Sequence, residues 1–177
     1  MPVIDAVLAY INPFKPSFAV NPVRQDYRKA HGLTHVNRTM SSGNVGTSGV
    51  AVYQLIYQSA CRTGLTVDDL REIARESAEA NRERGITGVL LVQGETILQV
   101  IEGEEPAVRA LYHAISRDTR HGGCTVLLTR DSDERAFPDW QMGLCEVDEN
   151  EADLFRLTLS ALKARRGRKE KLQRLSA

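Results

Sequence analysis

Three uncharged polar side chains stand in rows that should be apolar. Between Glu95 and Ile101 the residues alternate, and Ile97, Gln99 and Ile101 share one face, which puts Gln99 in an apolar row. Tyr57 shares a face with Tyr53 and Leu55 in the same way. Asn81 lies fourteen residues after Val67. At ~100° per residue it returns to within about 40° of that residue, on the buried stripe of a helix. A buried amide has two donors and an acceptor to satisfy, and leaving them unmade costs ~1–3 kcal/mol. Each residue alone has a plain reading, as a core tyrosine or a structural amide. Two amides and a phenol facing inward together suggest either a polar, planar ligand or one shared network. A phenol is an available electron and proton donor. An amide can exchange its donor and acceptor ends by turning over, so such a network can hold two arrangements.

A regular succession of elements carries these residues. Ala51 to Gln58, rich in β-branched, aromatic and large apolar residues, predicts a strand. Thr66 and Asp69 form a capping-box pattern, and Val67, Leu70, Ile73, Ala74 and Ala78 then recur at helical spacing until Gly85. Ile86 to Val92 and Glu95 to Ile101 predict a hairpin turning at Gln93-Gly94. Pro106 suits the first turn of a second helix, with Val108, Leu111, Tyr112 and Ile115 as its buried stripe. Thr125 to Thr129 and Trp140 to Val147 predict strands four and five. The fold class is α+β: a ferredoxin-like βαββαββ sandwich with a five-stranded sheet, two helices on one face and a C-terminal helical tail. In that tail Leu154, Phe155, Leu157, Leu159 and Leu162 form a wide apolar face, and Leu172 and Leu175 fit a second short helix. The tail is the natural cover for the open face of the sheet, or else a partner is.

Longer motifs give these residues a family resemblance. Tyr57-Gln58-Ser59, Asn81 with Gly85-Ile86-Thr87-Gly88, and Leu98-Gln99-Val100-Ile101-Glu102-Gly103 resemble the BLUF blue-light sensors that bind FAD. Arg117-Asp118-Thr119-Arg120-His121 and Phe137-Pro138-Asp139-Trp140-Gln141-Met142-Gly143 do so as well, and the likeness runs from about residue 51 to 147. It implies FAD as cofactor. Tyr57 corresponds to the phenol that gives an electron and then a proton to the excited flavin, and Gln99 to the amide whose rearrangement marks the signalling state. Asn81 corresponds to the partner of the flavin pyrimidine edge, Ser77 to a pocket position one turn earlier. Asp118, Arg120 and His121 correspond to the helix end near the ribityl chain and phosphates. Trp140 and Met142 correspond to a strand-five pair that changes packing around the glutamine. Ala80 departs from the pattern, because some relatives carry histidine before this asparagine; that puts one lateral flavin contact in doubt.

Composition sets the outer bounds. The chain has 177 residues, 42% hydrophobic and 26% charged, with formal net charge +0. That zero conceals three parts. Residues 1–50 carry five basic and two acidic side chains, 51–162 eleven and twenty, and 163–177 seven and one. Charges interrupt every apolar run, so no membrane span is expected, and the N-terminus has no apolar core of a secretory signal. Cys61, Cys124 and Cys145 are too scattered for a disulfide framework or a zinc site, which fits a reduced, cytoplasmic protein. Neutral charge argues against a dedicated nucleic-acid binder, and the 165–171 basic run reads as a solvated helix end.

The proline-rich residues 1–50, ending in a Gly/Ser run, are expected to be mostly disordered, with the flavin-binding domain at 51–148 and the helical tail at 149–177. Met40 is an alternative start of translation. The tail leaves no room for a catalytic output domain, so a light sensor of this kind is not itself an enzyme. It signals through strand five and the tail to a separate protein, and its small size and apolar tail are compatible with a homodimer. Two rival functions keep the fold: a flavin- or protein-binding module without photochemistry, and a small acylphosphatase-like enzyme. The second lacks a glycine-rich phosphate loop ahead of a helix.

Overall fold

The structure, a computed structural model, describes residues 51–62 and 64–175. The expected disorder of residues 1–50 lies outside the described residues. Strand β1 (Val52–Cys61) leads to helix α1 (Val67–Glu83), strands β2 (Thr87–Gln93) and β3 (Thr96–Gly103), helix α2 (Glu105–Ile115), strands β4 (His121–Ser132) and β5 (Gly143–Glu146), and helix α3 (Ala152–Leu175). The five strands form one sheet in the order β4-β1-β3-β2-β5, antiparallel except for the parallel β2–β5 pair. The α+β ferredoxin-like sandwich expected from the sequence is therefore present, with its extra strand added beside β2.

Local chemistry explains the element ends. The Thr66 hydroxyl accepts from the Asp69 amide, and the Asp69 carboxylate accepts from the Thr66 amide, closing the capping box. Gly85 takes φ +62° just past α1, a conformation that favours glycine, and so turns the chain into β2. α2 opens on Glu104 without a side-chain cap, with Pro106 in its first turn.

Period-2 alternation then divides the sheet into two faces. Tyr53, Leu55, Tyr57, Ile97 and Ile101 pack under α1 and α2, the front face. Ile56, Leu98 and Val100 point to the back, where Phe155, Leu159 and Leu162 of α3 cover them. Each such burial contributes about 1.5–3 kcal/mol. The tail helix is the cover that the open face required.

β1 runs on to Cys61, past the expected Gln58, and three further elements differ from expectation. β4 is longer than its apolar stretch, because backbone pairing with β1 continues from Val52↔Ser132 to Cys61↔His121 through Gly122, Arg130 and Asp131. β5 is shorter, since only Gly143–Glu146 pair with β2 and the chain before them makes a turn, with the Trp140 amide donating to the Phe137 carbonyl at 3.2 Å. The tail is one helix through Leu175 rather than two. Gly167 and the surrounding charges look like a helix stop, but the helix passes through them, with an Arg166–Glu170 pair at 2.7 Å one turn apart.

Candidate functional site

The site is built on the middle of β1 and β3. Tyr57 and Gln99 are direct antiparallel partners, so their side chains stand side by side on the front face. Both are buried, at 1% and 6% exposure. The Tyr57 hydroxyl donates to Gln99 Oε1. Gln99 Nε2 in turn donates to Met142 Sδ at 3.1 Å. The phenol, the amide and the thioether thus form one chain, in which the amide occupies the middle and has a definite orientation. Burial pushes the Tyr57 hydroxyl well above its usual range, and Cys124, Tyr112 and Asp118 push the same way, so its proton stays on oxygen in the resting protein. Tyr112 of α2 meets the Tyr57 ring edge-on at 5.3 Å.

Asn81, near the end of α1, is fully buried. Its Nδ2 donates to the Gln141 carbonyl at 2.9 Å, tying α1 to the approach to β5. Its Oδ1 is buried without a hydrogen-bond partner. A buried carbonyl oxygen left open costs about 1–3 kcal/mol unless a ligand donor completes it. Two adjoining cavities of about 80 and 250 Å³ open between α1 and α2 above the sheet. Tyr57, Ser77, Gln99, Asp118, Arg120 and His121 line the first, and Asn81 lines the second. Gln99 and Met142 border both.

The mouth of this space is charged. Arg120 grips Asp118 through its Nε at 3.0 Å and Nη2 at 2.6 Å, with its own amide on Oδ1 at 2.8 Å, and Arg120 Nη1 also lies 3.5 Å from Glu76. The Arg120 hydrogen bonds hold the Asp118 carboxyl down at about 2, against the opposing effect of partial burial. Half-buried His121 lies 3.5 Å from Cys124 Sγ. Burial lowers its pKa; the Asp118 charge opposes that shift and the Arg120 charge adds to it.

All seven residues that the resemblance assigns to the cofactor therefore meet in one region. Trp140 does not. It is buried on the back face, stacked on Phe137 at 5.8 Å and packed in the same core as Phe155, Leu159 and Leu162, while Met142 two residues on points to the front. A second polar cluster went unnoticed in the sequence, although the signal was the same kind of misfit. Gln54 and Glu102 alternate with apolar residues, this time on the back face, and Glu102 is 0% exposed. Among the described residues no group of His, Cys, Asp and Glu side chains is arranged to hold a metal ion, and no helix is long and apolar enough to cross a membrane.

The family model for BLUF, "Sensors of blue-light using FAD", matches residues 52–143. The chain is 32% identical over 99 residues to the blue light- and temperature-regulated antirepressor BluF of Escherichia coli (strain K12), covering 56% of this chain and 25% of that protein. It is 37% identical over 79 residues to the photoactivated adenylate cyclase subunit beta of Euglena longa, covering 45% and 9%. The chain thus spans a quarter or less of the length of these curated relatives. Among solved structures, the dark state of the BLUF protein BlrB superposes with a TM-score of 0.57 at 37% identity, covering 62% of this chain and 86% of that one. The photo-activated state of BlsA superposes with a TM-score of 0.53 at 32% identity, covering 56% and 72%.

Proposed function

This chain belongs to the BLUF family, the sensors of blue-light using FAD, and FAD is its cofactor; from that premise we propose that it reports blue light through the Tyr57–Gln99–Met142 chain. The observation that carries the reading is that chain itself, buried at the floor of the cavity and ordered from hydroxyl to amide to thioether. The unpartnered Asn81 Oδ1 fits an imide-type donor on the edge of a flat heterocycle. Ser77 lines the cavity one helical turn before Asn81. Asp118, Arg120 and His121 stand where the cavity opens, with the Arg120 cation suited to phosphate.

The bound flavin supplies a chromophore that becomes a strong oxidant when it absorbs blue light. Tyr57 would give one electron and its hydroxyl proton to the excited flavin and take both back at once, so that phenol and flavin are at their starting oxidation levels while the changed Gln99 arrangement persists until the dark state returns. Its raised pKa keeps that proton in place until the electron leaves. Gln99 holds Oε1 toward Tyr57 and Nε2 toward Met142. When the Tyr57 proton is displaced, the reason for that orientation goes, and the amide rearranges. The burial of both side chains excludes water, which would blur two hydrogen-bond arrangements into one average. The Gln99 rearrangement reaches Met142 and hence β5, while Trp140 carries any displacement into the core beneath α3. α3 is then the output surface toward a separate signalling protein, and the chain acts as a sensor rather than an enzyme.

The visible spectrum of the purified full chain, dark and then illuminated, tests this. A flavin absorption band that shifts slightly to the red and recovers in darkness is expected. A protein that stays colourless after reconstitution with FAD would falsify the reading. A yellow protein with no light response would leave only a flavin-binding module.

A further inference from the structure

The chain between β4 and β5 has to cross the molecule. Its two strands lie at opposite edges of the sheet, four strand spacings apart, which is about 19 Å. Residues 133–142 make that crossing, and they deliver Trp140 to the back core and Met142 to Gln99. Halfway along lies β3, the central strand, and on its back face the fully buried Glu102 carboxylate. Oε1 accepts from the Phe137 amide at 2.7 Å and the Thr87 hydroxyl at 3.0 Å. Oε2 accepts from Gln54 Nε2 at 2.8 Å and the Ala136 amide at 3.0 Å. Four donors converging on two oxygens are the complement of an acceptor-only group. The neighbours complete the arrangement. Gln54 Oε1 accepts from Arg130 at 2.6 Å, and Arg135 donates to the Thr87 hydroxyl, the Glu102 carbonyl and the Gly85 carbonyl at 2.8, 2.9 and 2.6 Å.

We infer that Glu102 is a positioning residue that sets which side of the sheet Trp140 and Met142 occupy. The Phe137 amide is fixed by Glu102, the Phe137 carbonyl accepts from the Trp140 amide, and the Phe137 ring stacks on the indole. The Trp140 carbonyl then accepts from the Gly88 amide at 2.8 Å, so the segment enters β5 with one register. With that register, residue 140 faces α3 and residue 142 faces Gln99. Glu102 lies three residues from Gln99 on the same strand but on the opposite face, so its carboxylate does not touch the front site and this segment is its hydrogen-bonded link to Met142. Nothing in the flavin chemistry proposed above requires a buried carboxylate at this point.

Glu102→Gln tests the inference with the smallest change of shape. The amide puts an NH2 donor among four donors, so at least one of the Ala136 and Phe137 amides loses its acceptor. Trp140 is the single tryptophan of the chain, so intrinsic tryptophan emission reports on its surroundings alone. In the full-length, flavin-loaded protein in the dark, the Glu102→Gln emission should move to longer wavelength and become more accessible to acrylamide. Protection of the 136–140 amides from hydrogen exchange should fall by about tenfold or more. The light-induced flavin shift should keep its size, because Tyr57 and Gln99 are unchanged, but recover more slowly in darkness, because the Gln99 Nε2–Met142 bond belongs to the resting arrangement and a displaced Met142 favours it less. Folded Glu102→Gln protein with unaltered tryptophan emission overturns the inference, and so does an unaltered recovery rate beside a displaced tryptophan. If Glu102→Gln does not fold, Arg135→Gln, which removes three bonds from the same segment at a partly exposed site, is judged by the same two readouts. The recovery readout rests on the light-sensor reading; the emission readout does not. A wild-type protein that fails to take up FAD therefore sinks that reading and leaves the Glu102 inference to be decided by Trp140.

Discussion

The two faces of the sheet treat buried polar groups in opposite ways. On the back, each Glu102 oxygen has two donors, both ends of the Gln54 amide are used, and α3 seals the surrounding apolar core. On the front, Asn81 Oδ1 and the Tyr53 hydroxyl are buried without partners, and the Gln99 amide leans on a thioether, a weak acceptor. A completed network resists rearrangement because every alternative leaves some group unpaired. An incomplete one has room for a ligand donor and for a second arrangement of similar energy. The same strands thus carry a rigid side and a switchable one, and what separates them is hydrogen-bond completeness rather than burial.

If that contrast is right, the largest effects belong to front-face changes that leave the fold alone. Tyr57→Phe keeps the ring and its packing against Tyr112 and removes only the hydroxyl. It should bind flavin and lose the reversible red shift entirely. Gln99→Leu should bind flavin and lose the shift as well, since an aliphatic side chain has nothing to turn. Light-minus-dark absorbance measures both, and a wild-type difference spectrum in either variant would remove that residue from the mechanism.

Back-face truncation should do the reverse. Leu162→Ala in α3 opens a cavity against the sheet and should cost about 2–5 kcal/mol of unfolding free energy, read from denaturant melts. The flavin shift should survive wherever the protein remains folded. Loss of the shift in folded Leu162→Ala protein would mean that the two faces are not separable. Leu154 and Leu157, 50% and 67% exposed on the same helix, should tolerate alanine with changes within about 0.5 kcal/mol unless a partner uses them.

How much of this was legible in the sequence follows the same division. The front site was, because Tyr57, Asn81 and Gln99 break apolar patterns whose period was already clear. The caps of α1 and the β2–β3 hairpin were legible too, since Thr66, Gly85 and Gly94 act through local backbone geometry. β4 and β5 were blurred. Pairing with β1 extends β4 through glycines and charges that have no strand propensity of their own, and the turn at residues 137–142 consumes residues that alternate like a strand. The Glu102 cluster escaped because its partners, Gln54, Thr87 and residues 135–137, are far apart in sequence, and only the crossing of residues 133–142 brings them together. The side of the sheet taken by Trp140 depends on that crossing as well.

A smaller effect probes the interior of the front cavity, behind its charged mouth. Asn81→Ala removes both the tie to Gln141 and the open acceptor, so FAD affinity should drop by about tenfold, the equivalent of one hydrogen bond of ~1.4 kcal/mol. Reconstitution titrated by flavin fluorescence measures it. Unchanged affinity would leave Asn81 a purely structural residue.

The smallest expected effect is one of pH, and its sign separates two neighbours at that mouth. His121 has a folded pKa below its usual 6.5, with burial as the main cause. The unfolded chain therefore binds more protons than the folded one as pH falls through that value, and folding stability declines on the acid side of about 6.5. Asp118 behaves differently. Its folded pKa of about 2 lies under the ordinary 3.8, so its pairing with Arg120 contributes fully above 3.8 and is lost only as pH falls toward 2. Between pH 7.5 and 5.5 only the histidine of this pair contributes to the slope. Lowering the pH across that window should lower the wild-type melting temperature relative to that of His121→Gln, because the variant has no proton to take up there. A constant gap between the two melting curves would show that His121 takes up its proton alike in the folded domain and the unfolded chain, so that burial in the cavity wall does not bear on its titration.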